Sequence, residues 1–249
     1  MIEDVWFWAV AIPAVMLVGL AKGGFSGLGA LSLPMVAMTI SPVRAVAILL
    51  PVYMVQDVVG AWAFRRTVDR WILGWTLPGA ALGTLLGYVF ATVVTPEAVL
   101  AAVGAISMLF GGYRLWVERH PIAGTRKLTP GWVGAVAGTA SGFTSQIALA
   151  GQPPFQLWVL PRGLARDVLV GTGAVYFMLI NWMKVPAFLA LGQFTTANLL
   201  TSALLTPVAI VSTFAGVWLV RRIEPARFYT AIYLLMIVAG AKLLWDGLT

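Results

Sequence analysis

Apolar runs of span length alternate with short charged clusters along the whole chain. The first run extends from Val5 to about Leu20, is interrupted through Gly29, and resumes from Ala30 to Ile40, where Ser41-Pro42 ends it. At 1.5 Å per residue the resumed leg is about 16 Å long, roughly half of a ~30 Å hydrocarbon core, so it does not cross alone. Three uninterrupted segments follow, Val43 to Phe64, Trp71 to Val94 and Glu97 to Val117, separated by Arg65-Arg66-Thr-Val-Asp69-Arg70 and by Thr95-Pro96. The second half repeats this plan with a broken segment from Gly131 to Leu160, then Asp167 to Leu191, Thr195 to Val220 and Pro225 to Trp245. Nowhere does the period-two alternation of barrel strands appear. The pattern predicts an all-α, polytopic helical membrane protein.

The halves match in detail. Pro78, Gly87, Pro96, Gly111, Leu115 and Trp116 recur 129 positions later as Pro207, Gly216, Pro225, Gly240, Leu244 and Trp245. Prolines and glycines at one constant offset point to duplication rather than chance likeness of apolar helices. The expected organisation is a first membrane repeat over 1–118, a cytoplasmic linker over 119–129 and a second membrane repeat over 130–249.

Loop charges bear on topology, because Lys and Arg in short loops favour the cytoplasm. If each broken segment crosses once, the halves lie parallel, and Arg162, Arg166, Arg221, Arg222 and Arg227 fall on the side opposite Arg65, Arg66, Arg70, Arg114, Arg119, Arg126 and Lys127. If each instead dips in and returns, all twelve face the cytoplasm, leaving Arg44, Lys184 and Lys242 on the outer side and Lys22 at a hairpin tip. Each half is then a re-entrant hairpin plus three crossings. Three is odd, so the halves are inverted, an arrangement that places a substrate site near the midplane between them.

Composition narrows the chemistry. The chain is 60% hydrophobic and 10% charged, with a mean hydropathy of +0.92, far from a soluble domain. Its net charge of +7 sits in loop clusters, which argues against a nucleic-acid partner and for a lipid bilayer. With no cysteine and one histidine, His120, the chain offers no disulfide, thiol or imidazole metal site, and neither a cofactor nor an enzymatic activity is expected. The N-terminal Met-Ile-Glu-Asp lacks the basic start of a signal peptide, so the first segment is expected to be retained.

Candidate chemistry sits at the two interruptions. The first combines Lys22, Gly23, Gly24, Phe25, Ser26 and Gly27. Glycines there allow close approach of an anion to backbone N–H groups at the start of a half-helix, and Lys22 adds a full charge. Equally, such glycines serve close helix packing, and a lysine snorkels to an interface. The second interruption offers Thr139, Ser141, Gly142, Thr144, Ser145, Gln146 and Gln152, neutral donors for an oxyanion, or groups that bond their own helix. Asp57 is the acid well within a span, suited to a coupling proton or to a structural pair with Arg65 or Lys22. Asn181 and Lys184 share a helix face at i, i+3 ahead of Pro186 and are expected to line the path. The tryptophans at segment ends, such as Trp6, Trp71, Trp116 and Trp245, read as interfacial anchors.

These residues carry a resemblance over nearly the whole chain. Ala21-Lys-Gly-Gly-Phe25, Leu33-Pro34, Ile48-Leu-Leu-Pro51, Asp57, Phe64-Arg-Arg-Thr-Val-Asp69 and Pro78-Gly-Ala-Ala-Leu-Gly83-Thr84 in the first half resemble the TauE/SafE sulfite-exporter family. So do Gly138 to Gly142, Pro153-Pro154, Pro161-Arg162, Gly171-Thr172, Asn181, Lys184, Pro186 and Leu191-Gly192 in the second. The chain departs from many relatives at Leu28-Gly29-Ala30, where they have a longer glycine run, and at Gln152, where they have a second glycine. The resemblance implies a multi-pass secondary carrier of sulfite, sulfoacetate, other organosulfonates or related small anions across the bacterial inner membrane, usually by export. An anion channel, an uptake permease and a non-transport scaffold remain as alternatives, and self-association into a homo-oligomer is left open.

Overall fold

The computed structural model describes residues 4–22, 28–119, 129–220 and 226–249. The described residues form helices α1 (Val5–Lys22), α2 (Ser32–Ala37, entered through a 3-10 turn over Leu28–Leu31), α3 (Pro42–Ala63), α4 (Arg70–Val93) and α5 (Pro96–Arg119). The second half gives α6 (Gly131–Ala148), α7 (Gln152–Val159, continued by a 3-10 turn over Leu160–Arg162), α8 (Arg166–Ala190), α9 (Thr196–Val220) and α10 (Ala226–Leu248). Six of these, α1, α3, α4, α5, α8 and α9, are long and apolar enough to cross a membrane. The all-α, polytopic membrane class expected from the sequence is therefore the class observed.

Local chemistry sets the ends. Asp69 caps α4, its Oδ1 accepting from the backbone N–H groups of Trp71 at 2.9 Å and Ile72 at 3.1 Å, and Pro42 and Pro96 occupy first-turn positions where a missing N–H costs nothing. Gly192, at φ +63°, ends α8 in the left-handed region that only glycine enters freely.

The break in the second half is narrower than the polar run suggests. α6 continues unbroken through Thr139, Ser141, Thr144, Ser145 and Gln146, and the chain departs from it only at Leu149, whose φ of +52° is unusual for a branched residue. The chain then doubles back along α6. Gly151 lies against Ser141 and Ser145, and the Trp158 ring lies against Gly134. In the first half Gly23 to Gly27 lie outside the described residues, but Gly29 sits beside Ala21 and Val18, so the chain beyond the gap also lies back against α1. α1 and α6 have 18 residues each, and the short returns that follow them are similar in length.

The helices then pair across the halves: α1 with α9, α6 with α4, α3 with α8 and α5 with α10. At the α4–α6 contact a Cβ on Gly83 would stand 1.9 Å from the Thr139 carbonyl oxygen, and one on Gly142 would stand 2.1 Å from the Ala80 carbonyl oxygen. Only glycine permits that approach. α3 is the most enclosed span, running through the main core of Phe7, Val15, Leu33, Ile48, Leu49 and their neighbours, so the side chains on its buried faces, Asp57 among them, are held away from lipid.

Candidate functional site

Asp57 projects from α3 fewer than two turns, about 9 Å, before that helix ends. It is fully buried, and a carboxylate there requires partners. Two reach it. The Lys22 ammonium, at the C-terminal end of α1, pairs with Oδ1, and the Asn181 amide of α8 donates to Oδ2. Lys22 also lies 5.6 Å from the Tyr53 ring centroid and 5.5 Å from that of Phe177, so aromatic faces flank the ammonium. Of the two cations weighed for Asp57, Lys22 is the partner. Arg65 instead donates to the Trp62 carbonyl at 2.8 Å and stacks on the Trp62 ring.

One turn beyond Asn181 on α8, Lys184 enters the same region. Its side chain is fully buried, and its ammonium donates to the Ser145 carbonyl near the end of α6 at 3.1 Å. That carbonyl also accepts the Leu149 N–H, so the turn out of α6 and the lysine meet at one oxygen. Ser145, Gln152, Asn181, Lys184, Lys22 and Tyr53 line a chamber of about 60 Å³. A single water needs only about 10–15 Å³ of such space, so the chamber accommodates an anion of a few heavy atoms. A wider space of about 230 Å³ adjoins it, sharing Ala21, Lys22, Gln152 and Phe177 and continuing along Phe155, Gln156 and the first turns of α8. With two ammonium groups on its lining and one carboxylate, Asp57, paired to Lys22 behind it, the chamber attracts anions when both lysines are charged.

Other residues singled out from the sequence take different places. Thr139 bonds the Ala135 carbonyl of its own helix at 3.0 Å, and its backbone faces α4, as does that of Gly142. Ser141 donates to the Gly151 carbonyl at 2.5 Å and Thr144 to the Ala150 carbonyl at 3.0 Å, so both hydroxyls fasten the bend between α6 and α7. Gln146 is buried beside Gly87, and its Oε1 has no hydrogen-bond partner among the described residues. Gly23, Gly24, Phe25, Ser26 and Gly27 lie outside the described residues.

Tyr53 and Phe177 were not singled out, although each stands four residues before a site residue, Asp57 and Asn181, and so shares its helix face. That spacing was the available signal. Tyr53 does more than flank Lys22. Its hydroxyl meets the Ser32 hydroxyl, which donates to the Gly29 carbonyl at 2.6 Å, tying the return beyond the first break to α3.

Comparison with known proteins gives one positive finding: the family model described as Sulfite exporter TauE/SafE matches residues 11–243. No curated protein and no solved structure matches the chain.

Proposed function

Because the chain belongs to the sulfite exporter TauE/SafE family, whose description points broadly to sulfur-anion transport across a membrane, we propose that it is a secondary carrier of a small sulfur-containing anion. The substrate is sulfite, sulfoacetate or another organosulfonate, bound in the chamber between the ends of α1 and α6 and moved outward, down its own concentration gradient, across a bacterial inner membrane. The observation that carries this reading is that Lys22 and Lys184 both line one small chamber, with one buried carboxylate, Asp57, paired to Lys22. Intramembrane charges are costly, and two cations against one anion mark a place for a visiting negative charge.

Alternating access follows if the halves are inverted repeats that rock about the chamber. Helix directions support inversion. Gly171 of α8 meets Thr67 just beyond α3, while Asn181 meets Asp57 within it, so these corresponding helices run oppositely. Likewise Gly104 of α5 meets Leu244 of α10 and Gly111 meets Tyr233, again in opposite directions. On this reading Lys22, Asn181, Lys184, Ser145 and Gln152 contact substrate, and Asp57 holds Lys22 in place when substrate is absent.

The test is uptake by the purified protein in proteoliposomes. Saturable flux of sulfite, sulfoacetate or methanesulfonate above that of protein-free vesicles is expected, with loss of flux in Lys184→Met. Absence of saturable flux for all three under any ion gradient removes the carrier reading. Flux that never saturates favours a channel.

A further inference from the structure

Lys184 differs from Lys22 and Asp57 in having no counter-ion among the described residues. Lys22 and Asp57 answer one another, but among the described residues no carboxylate lies within ion-pair distance of the Lys184 ammonium. Its hydrogen bond goes to a neutral backbone carbonyl, and its side chain is fully buried. The groups lining the chamber with it are Lys22 from α1, Tyr53 from α3, Ser145 from α6 and Gln152 from α7, with Asn181 on its own helix, and Asp57 of α3 stands behind Lys22 and Asn181 as their shared partner. Of these, Asp57 alone is acidic, and both of its oxygens are engaged, by Lys22 and by Asn181. Tyr88 of α4 lies off the chamber, lining a separate groove with Met183 and Pro186. An ammonium so placed carries the full cost of an unneutralised buried charge, and a lysine, unlike an arginine, escapes that cost by releasing a proton.

We propose that Lys184 carries the coupling proton of transport: it is the neutral amine in the empty site and the ammonium when a monovalent anion is bound, so that anion and proton cross together. The inference rests on the carrier reading above. The charges balance in both states. The empty chamber holds Lys22 and Asp57 as a neutral pair beside an uncharged amine. The loaded chamber adds one proton on the Lys184 nitrogen and one negative charge on the substrate, again summing to zero. Only an N–H bond forms and breaks, and the proton comes from and returns to water on whichever side the chamber faces. Both forms that cross the membrane interior are electrically neutral, so the cycle avoids moving a net charge through hydrocarbon.

The experiment uses the full chain in proteoliposomes with a pH-sensitive dye inside. The probes are methanesulfonate, which stays ionised so that any accompanying proton is carried by the protein, and sulfite, scored against protein-free vesicles because its acid form crosses bilayers unaided. About one proton is expected to enter with each methanesulfonate, and an inwardly directed proton gradient is expected to drive accumulation of either probe. In Lys184→Arg, whose guanidinium keeps its proton, anion flux is expected to lose its dependence on the pH gradient and to respond to membrane potential instead. Transport of either probe by the unaltered protein without a protein-dependent proton overturns the coupling while leaving the carrier reading intact, and needs no variant to fold. Proton flux that persists at full stoichiometry in a folded Lys184→Arg protein also overturns it. If neither probe crosses, the carrier reading fails and the coupling falls with it.

Discussion

On the carrier reading, Lys22 has two partners to choose between, Asp57 and the substrate. In the empty site it answers Asp57, which is fully buried, while its own side chain keeps some access to the chamber. Removing one member of a buried pair strands the other, at a cost of about 3–5 kcal/mol. Lys22→Ala is therefore expected to lower the melting temperature of the detergent-purified protein, and Asp57→Asn to recover part of that loss in the double variant. A double-variant cycle read by thermal unfolding checks this, and additive effects of the two substitutions would show that the pair contributes nothing. Anion binding separates the second role. If Lys22 also meets substrate, the double variant regains stability without regaining the thermal shift that sulfite gives the unaltered protein.

Helix contacts explain which glycines matter. Gly83 stands where α4 touches the α6 backbone, whereas Gly74, on the same helix, has nothing near its missing side chain. Gly83→Ala is expected to force the helices apart and destabilise by at least about 1–3 kcal/mol, as overpacking does. Gly74→Ala is expected to stabilise by roughly 0.5–1 kcal/mol through helix propensity alone. Chemical unfolding in mixed micelles reads both, and equal effects at the two positions would contradict the packing. At this scale the sequence was largely legible, because long apolar runs, Asp69 before α4 and prolines at helix starts each act through local chemistry. The extent of the second break was not. Hydroxyls and glycines between Gly138 and Gly142 look the same in a helix pressed against α4 as in an unwound loop, and the difference lies in which neighbour approaches. The site was legible in part for the same reason. Asp57, Asn181 and Lys184 stand out as charged or amide groups within apolar spans, but Tyr53 and Phe177 are aromatic residues among many aromatic residues until Lys22 is seen between them.

At the scale of the whole molecule, the inverted-repeat reading joins the opposed directions of α3 and α8 and of α5 and α10 with the loop charges and implies one orientation. The loops near Thr67, Ala123, Gly163 and Ala226 are expected to face the cytoplasm, with both termini outside. The chain has no cysteine, so a single cysteine at each position gives a clean reading. All four are expected to resist an impermeant thiol reagent added to intact cells, and labelling at Gly163 but not at Thr67 would instead fit eight simple crossings. Orientation bears on function, because one site reached in turn from two sides produces exchange, whereas a pore produces only equilibration. Counterflow measures that difference most directly. Proteoliposomes loaded with unlabelled sulfite and diluted into a trace of labelled sulfite are expected to accumulate the label transiently above its equilibrium level, and to stop doing so in Lys184→Met. A protein-dependent rise that approaches equilibrium from below, with no overshoot, would contradict a carrier built around the Lys22–Lys184 chamber.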